Sequence, residues 1–160
     1  MIEEELMSIG TDFEIDEINA TIEEEHFSIG TNFIMKIDGT VYAKAEETLL
    51  SFGHKYVIYD GSRQTVGYVE ETLTLSLFSY YSSYKIFDKT GRLIGRSEKH
   101  QLFSTEFIVK DISGNIICEI SRPALNMGDN WTVDFRTTKY DKRLFIFIPY
   151  YKTLADNEDD

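Results

Sequence analysis

Few side chains in this chain are placed to do chemistry. The three histidines, His26, His54 and His100, stand apart from one another, and none has a second His or Cys at metal-ligand spacing. Metal centres need several convergent ligands, so each histidine is expected to be structural or incidental: His26 in a strand, His54 in a loop, His100 on a polar strand face. Cys118 is the single cysteine, with no base or orienting group beside it in sequence, so it is expected as a compact filler and not a nucleophile. "DKTGR" (88–92) and "DISGN" (111–115) lack the alternating oxygen ligands and closing Glu of a calcium loop and read as turns. The triplets "EEE" at 3–5 and 23–25 would alternate faces in a strand, as solvated rim charge and not as paired acid–base carboxylates. There is no glycine-rich phosphate loop and no G-x-S-x-G elbow. One candidate binding feature remains. The densest basic run, "RTTKYDKR" (136–143), offers Arg136, Lys139, Lys142 and Arg143 as candidate anion or phospholipid contacts, although a charge run of this kind more commonly just faces water.

The bulk charge narrows the partners. A net charge of −12 excludes a typical nucleic-acid binder, which needs a basic surface to displace counterions. The charge is uneven: residues 1–84 hold four Lys/Arg against sixteen Asp/Glu, residues 85–155 twelve against eight. A locally basic face is therefore compatible with the acidic whole. One cysteine suits a reducing compartment, "MIEEE" lacks the pattern of a signal peptide, and no apolar run approaches the roughly 20 residues that span a bilayer. These features lead us to expect a cytoplasmic protein without a transmembrane segment. No metal or cofactor motif is present, so none is expected.

Positioning comes from a repeat. "IEEELMSIGTDF" (2–13) and "IEEEHFSIGTNF" (22–33) agree at nine of twelve positions. Their skeleton, apolar–Ser–apolar–Gly–x–x–aromatic, starts at Met7 and Phe27 and returns in "LSFGHKY" from Leu50. Looser copies follow in "FSYYSSY" from Phe78, "LFSTEF" (102–107) and "LNMGDNW" from Leu125. Spaced about 20 to 28 residues apart, the six copies read as strand junctions, with Asp/Gly turns midway at 16–19, 38–39, 60–64, 88–91 and 111–114. Each unit is then a hairpin, and six hairpins predict about twelve antiparallel strands. Trp131 replaces the terminal Phe or Tyr of other copies and reads as a packing anchor.

Within "TVYAKAEETLL" (40–50) the alternation points Val41, Ala43, Ala45 and Leu49 one way, with Glu47 breaking the apolar face. After four turns a pair of mostly apolar residues precedes a small one: Val41-Tyr42-Ala43, Thr65-Val66-Gly67, Leu93-Ile94-Gly95 and Ile116-Ile117-Cys118. A small residue at one depth in four strands lets something bulky approach the sheet. The C-terminal "DKRLFIFIPYYKTLAD" (141–156) is the candidate, as a helix capped by Asp141 with a kink or break near Ile148, because Pro149 removes a helix hydrogen bond. The rival is a strand at 144–148 followed by a helix from Pro149. The expected architecture is all-β with one buried C-terminal helix: a twelve-stranded antiparallel barrel around that helix. Residues 1–155 form one domain and 156–160 an acidic tail.

"FSIG", "LSFG", "GTVYAKAEETLLSFGHKYVIYD", "VGYVEETLTLSLFSYYSSYKIFD" and "ISRPALNMGDNWTVDF", followed by an apolar helix, resemble the LURP-one-related family of tubby C-terminal-like domains. The resemblance covers nearly the whole chain, most clearly residues 26–155. It implies a twelve-stranded barrel around a hydrophobic helix. Tubby proteins bind phosphoinositide headgroups through basic surface side chains, and phospholipid scramblases are described as relatives. A helix plugging the interior would leave little lumen for substrate, so the expected function is that of a non-enzymatic binding or scaffold module of this class, acting through its outer surface and loops on a protein or phospholipid surface. Alternatives are a peripheral membrane module and a barrel holding a ligand in an internal apolar cavity.

Overall fold

The computed structural model describes residues 4–6, 8–11, 20–26, 30–50, 53–76, 79–101, 104–122 and 131–158. These residues contain thirteen strands and one C-terminal α-helix. The strands are β1 (Glu4–Leu6), β2 (Ser8–Thr11), β3 (Ala20–His26), β4 (Thr31–Ile37), β5 (Thr40–Leu50), β6 (Gly53–Asp60) and β7 (Thr65–Ser76). They continue with β8 (Ser79–Asp88), β9 (Leu93–Ser97), β10 (His100–Gln101), β11 (Glu106–Asp111), β12 (Ile116–Ser121) and β13 (Thr132–Phe135). A 3-10 turn (Lys142–Leu144) leads into α1 (Ile148–Glu158).

Copies of the Ser–Gly skeleton from Phe27, Leu50 and Phe78 fall where β3 gives way to β4, β5 to β6 and β7 to β8. The Asp/Gly turns close the hairpins at their other ends. Asp38 and Gly39 both take positive φ, 49° and 76°, which the tight two-residue connection of β4 to β5 requires. The three longer turns share one mechanism. Asp60 Oδ1 accepts the N–H groups of Ser62 and Gln64 at 2.8 and 2.9 Å. Asp88 Oδ1 does the same for Thr90 and Arg92 at 2.9 and 3.0 Å, and Asp111 Oδ1 for Ser113 and Asn115, both at 2.9 Å. The expected turn at 16–19, the strand after Phe13 and most of the copy at 125–131 lie outside the described residues.

The sheet runs β1-β3-β4-β5-β6-β7-β8-β9-β11-β12-β13-β2, with β10 also pairing β8. The two ends of this path, β1 and β2, are consecutive in the chain, separated only by Met7. The pairings are antiparallel with one exception: β2 runs parallel to β13, Ser8 opposite Thr132 and Thr11 opposite Phe135. The first skeleton copy thus supplies β2, beside β13, while β1 just before it pairs with β3 at the other end of the strand order.

The apolar pairs after the turns have a structural origin. Met35 faces Ala43 while Lys36 faces Val41, leaving Tyr42 as an extra, bulged residue. Val66, Ile94 and Ile117 are extra in the same way before Gly67, Gly95 and Cys118. A bulge carries one more residue than its partner strand and resets the facing pattern. It also corrects the expected phase of β5: Ala43 and Ala45 are buried, whereas Val41 is 38% exposed, and Tyr42 packs against the core instead.

Leu144 through Lys152 are all buried, and they touch strands far apart in the sheet order. Phe147 meets Phe33 of β4 at 6.5 Å between ring centroids, Tyr151 meets Tyr56 of β6 at 3.7 Å and Tyr84 of β8 at 6.3 Å, and Phe145 meets Phe135 of β13 at 6.1 Å. Leu144 lies against Gly67, where a Cβ would come within 2.6 Å of its Cδ2 and 2.3 Å of the Phe87 carbonyl oxygen. The small-residue position thus admits the C-terminal segment at Gly67. At Gly95 the nearest side chain is instead Ile117 of the sheet itself. Residues 144–148 form no strand; the 3-10 turn ends at Leu144 and α1 starts at Ile148, so Pro149 occupies the first helical turn, where its missing N–H is no loss. The helix runs on to Glu158, into the stretch expected as tail.

Candidate functional site

The basic run fills the connection after β13 and enters the 3-10 turn at Lys142 and Arg143. Asp141 caps that turn, its Oδ1 accepting the Arg143 N–H at 3.1 Å. The same carboxylate takes Arg143 Nε at 3.0 Å and Nη2 at 2.7 Å, and the guanidinium also sits 5.5 Å above the Tyr42 ring. Burial alone would raise the Asp141 carboxyl, but the bonds from Arg143 hold it below the ordinary carboxylate range. Arg136 donates to Glu119 at 2.6 Å and lies 3.1 Å from Asp134. Lys139 and Lys142 pair with no carboxylate among the described residues; their ammonium groups stand 5.3 Å from the centroids of Tyr140 and Phe135. The four cations therefore have separate partners, and only the two lysines keep charge that a carboxylate has not claimed.

Beside β9, β11 and β12 lies a groove of about 340 Å³ lined by Glu98, Glu106, Glu119, Phe107, Ile108 and Ile120 with Ser121. Two of its carboxylates are already engaged, Glu98 by Lys110 at 2.8 Å and Glu119 by Arg136.

The most unusual chemistry lies on the inward face. Glu71 of β7 is 3% exposed and Oε1 accepts the Ser82 hydroxyl at 3.1 Å and the Tyr84 hydroxyl at 3.3 Å. Tyr84 also receives order from behind: its N–H donates to Ser97 Oγ at 2.8 Å. Burial, then the charge of Glu71, push the Tyr84 phenol well above its usual range, so it stays a donor. Tyr151 is shifted up for the same two reasons, and its buried hydroxyl has no hydrogen-bond partner among the described residues. Lys152, next on α1, is wholly buried. Nearer the rim, Glu47 of β5 accepts the Thr31 N–H on Oε2 at 2.6 Å and contacts His54 Nδ1 through Oε1. His54 belongs to β6, which starts at Gly53, and not to the expected loop. Its ring lies beside Tyr56, 6.5 Å between centroids. Farther along α1, Trp131 Nε1 donates to Thr153 Oγ1 at 3.0 Å, and the Thr153 hydroxyl donates to the Pro149 carbonyl at 3.1 Å. Trp131 is 3% exposed and so packs as an anchor.

Sequence reasoning misses Glu47 and Glu71 as a pair, yet a signal exists. Both are the second Glu of an identical "EETL", at 46–49 and 70–73, four residues beyond Ala43 and Gly67. Period-two phase from those small inward residues turns both carboxylates inward.

Cys118 is wholly buried, and burial followed by the charges of Asp134 and Glu119 pushes its thiol far above the range in which thiolate forms near neutrality. Among the described residues no group of three His, Cys, Asp or Glu side chains could hold a metal ion, and no helix is long and apolar enough to cross a membrane. Comparison of the chain with protein-family models, with curated proteins and with solved structures gave no match.

Proposed function

We propose that this chain is a non-enzymatic binding or scaffold module of the LURP-one-related, tubby C-terminal-like kind, acting through its outer surface and loops. On this reading the sheet is a barrel completed through residues 4–11, which pair with β3 on one side and β13 on the other. The observation that carries the functional reading is the filled interior. Leu144 to Lys152 occupy the space facing β4, β6, β7, β8 and β13, which argues against a lumen for substrate or apolar ligand and leaves the exterior for partners. Native mass spectrometry of purified protein tests it. The bare chain mass is expected; a stoichiometric lipid or metabolite overturns it.

A second reading, peripheral attachment to an anionic membrane, draws on Lys139 and Lys142, the cations of the basic run without carboxylate partners. Co-sedimentation with phosphatidylserine vesicles at low and high salt separates the two. Attachment through these lysines is strongest at low salt and weakens in Lys139→Glu/Lys142→Glu; no pelleting at low salt ends this reading.

A further inference from the structure

We propose that His54 is a proton-operated latch: protonated, it ties β6 through Glu47 to β5 and the start of β4, and loss of the proton loosens that rim. His54 Nδ1 contacts Glu47 Oε1, while Glu47 Oε2 holds the Thr31 N–H at 2.6 Å. Three strands thus meet on one carboxylate. Directly across the β6–β7 ladder, His54 faces Glu71, the equivalent Glu of the next repeat. Residues directly opposite on adjacent strands share a face with side chains in contact range.

Among the described residues, the groups around His54 can be taken element by element. β5 contributes Glu47 and β7 contributes Glu71; β6 itself contributes Tyr56, and β8 contributes Tyr84, bonded to Glu71. α1 contributes Tyr151, stacked on Tyr56, and Lys152 beside it in the chain. The imidazole thus lies between two carboxylates, Glu47 beside it and Glu71 across the ladder. A carboxylate close by favours the protonated ring, so both neighbours support the charged form of His54. Exposure fits a switch: the Glu47 side chain is 6% exposed, whereas His54 at 26% remains open to solvent protons. Histidine is the side chain whose charge ordinarily changes between about pH 5 and 8. Raising pH through that window removes the positive charge between the two carboxylates. The contact with Glu47 weakens and Thr31 loses its fixed acceptor.

Hydrogen exchange of the Thr31 amide, read by NMR as a protection factor corrected for intrinsic exchange, tests this at pH 6.0 and 8.5. Protection is expected to fall about tenfold at the higher pH, the equivalent of one pH unit of coupling. Glu47→Gln keeps a carbonyl acceptor for Thr31 but removes the charge, and His54→Gln removes the proton site; either folded variant should give a pH-flat protection factor. Equal protection of Thr31 at both pH values in the unaltered chain overturns the proposal, as does an undiminished pH response in Glu47→Gln.

Discussion

Tyr151 of α1 stacks on Tyr56 of β6 with ring centroids 3.7 Å apart and planes 10° from parallel, while the buried Tyr151 hydroxyl has no hydrogen-bond partner among the described residues. The two halves of this side chain pull stability in opposite directions. The ring fills the centre of the fold; an unpaired buried hydroxyl costs about 1–3 kcal/mol in lost hydration. Tyr151→Phe is therefore expected to stabilise the protein by about 1 kcal/mol, and Tyr151→Ala to destabilise it by about 3–5 kcal/mol through the cavity left among Phe33, Tyr56 and Tyr84. Urea unfolding midpoints of the two variants check both signs.

Arg63 occupies the fourth position of its turn with φ at 61°, where the matching turns carry Gly91 and Gly114 at 83° and 88°. A side chain in this left-handed region costs roughly 1–2 kcal/mol. The compensating contact to Glu46, at 3.5 Å with Arg63 77% exposed, contributes at most about 0.5 kcal/mol after solvent screening. Arg63→Gly is expected to raise stability by about 0.5–1 kcal/mol, read as an increased denaturant midpoint with unchanged slope.

Asp111 organises its turn and anchors Tyr140, whose hydroxyl donates to Oδ2 at 3.2 Å. The Asn115 N–H, against some burial and with further help from the Asn115 amide, the Ser113 N–H and Tyr140, lowers the carboxyl from the ordinary 3.8. A carboxyl lowered in the folded state binds protons first in the unfolded chain. Its contribution is complete above the unfolded value and is lost as pH falls through the folded one. The unaltered protein should lose stability below about pH 4 more steeply than Asp111→Ala, measured by thermal melts from pH 6 to pH 2.

Cys118 should resist modification. With its thiol buried and held protonated, iodoacetamide at neutral pH is expected to leave the folded chain unlabelled and to label it fully in denaturant.

How much of this could be read beforehand divides along physical lines. Turn positions were legible because Asp and Gly act locally: Asp60, Asp88 and Asp111 need only the next four residues to do their work. The buried C-terminal segment was legible from the apolar run 144–148, and Pro149 marked the start of α1 by the same rule that forbids it mid-helix. The bulges were not. Tyr42 and Ala43 side by side look like faltering alternation, and only the register with Met35 and Lys36 reveals an inserted residue. The inward acids were visible only in part. Alternation already sets Glu47 on the apolar face of its strand, but Glu71 sits in a charged stretch that resembles a solvated face, and the burial of both depends on His54, Ser82 and Tyr84 arriving from other strands. Long-range partnership of that kind leaves only the repeated "EETL" as a local trace. The basic run was visible as composition, but the pairing of its two arginines with Glu119, Asp134 and Asp141 depends partly on distant residues.

Residues 4–11 border the first and the last of the other strands in the sheet path at once. Cleavage just before Asp12 followed by release of the segment would consequently uncover two ladders of backbone amides and carbonyls together, one along β3 and one along β13. Exposed ladders recruit foreign strands. One clipped molecule would offer its neighbours two docking margins, enough to propagate a chain of copies instead of stopping at a pair.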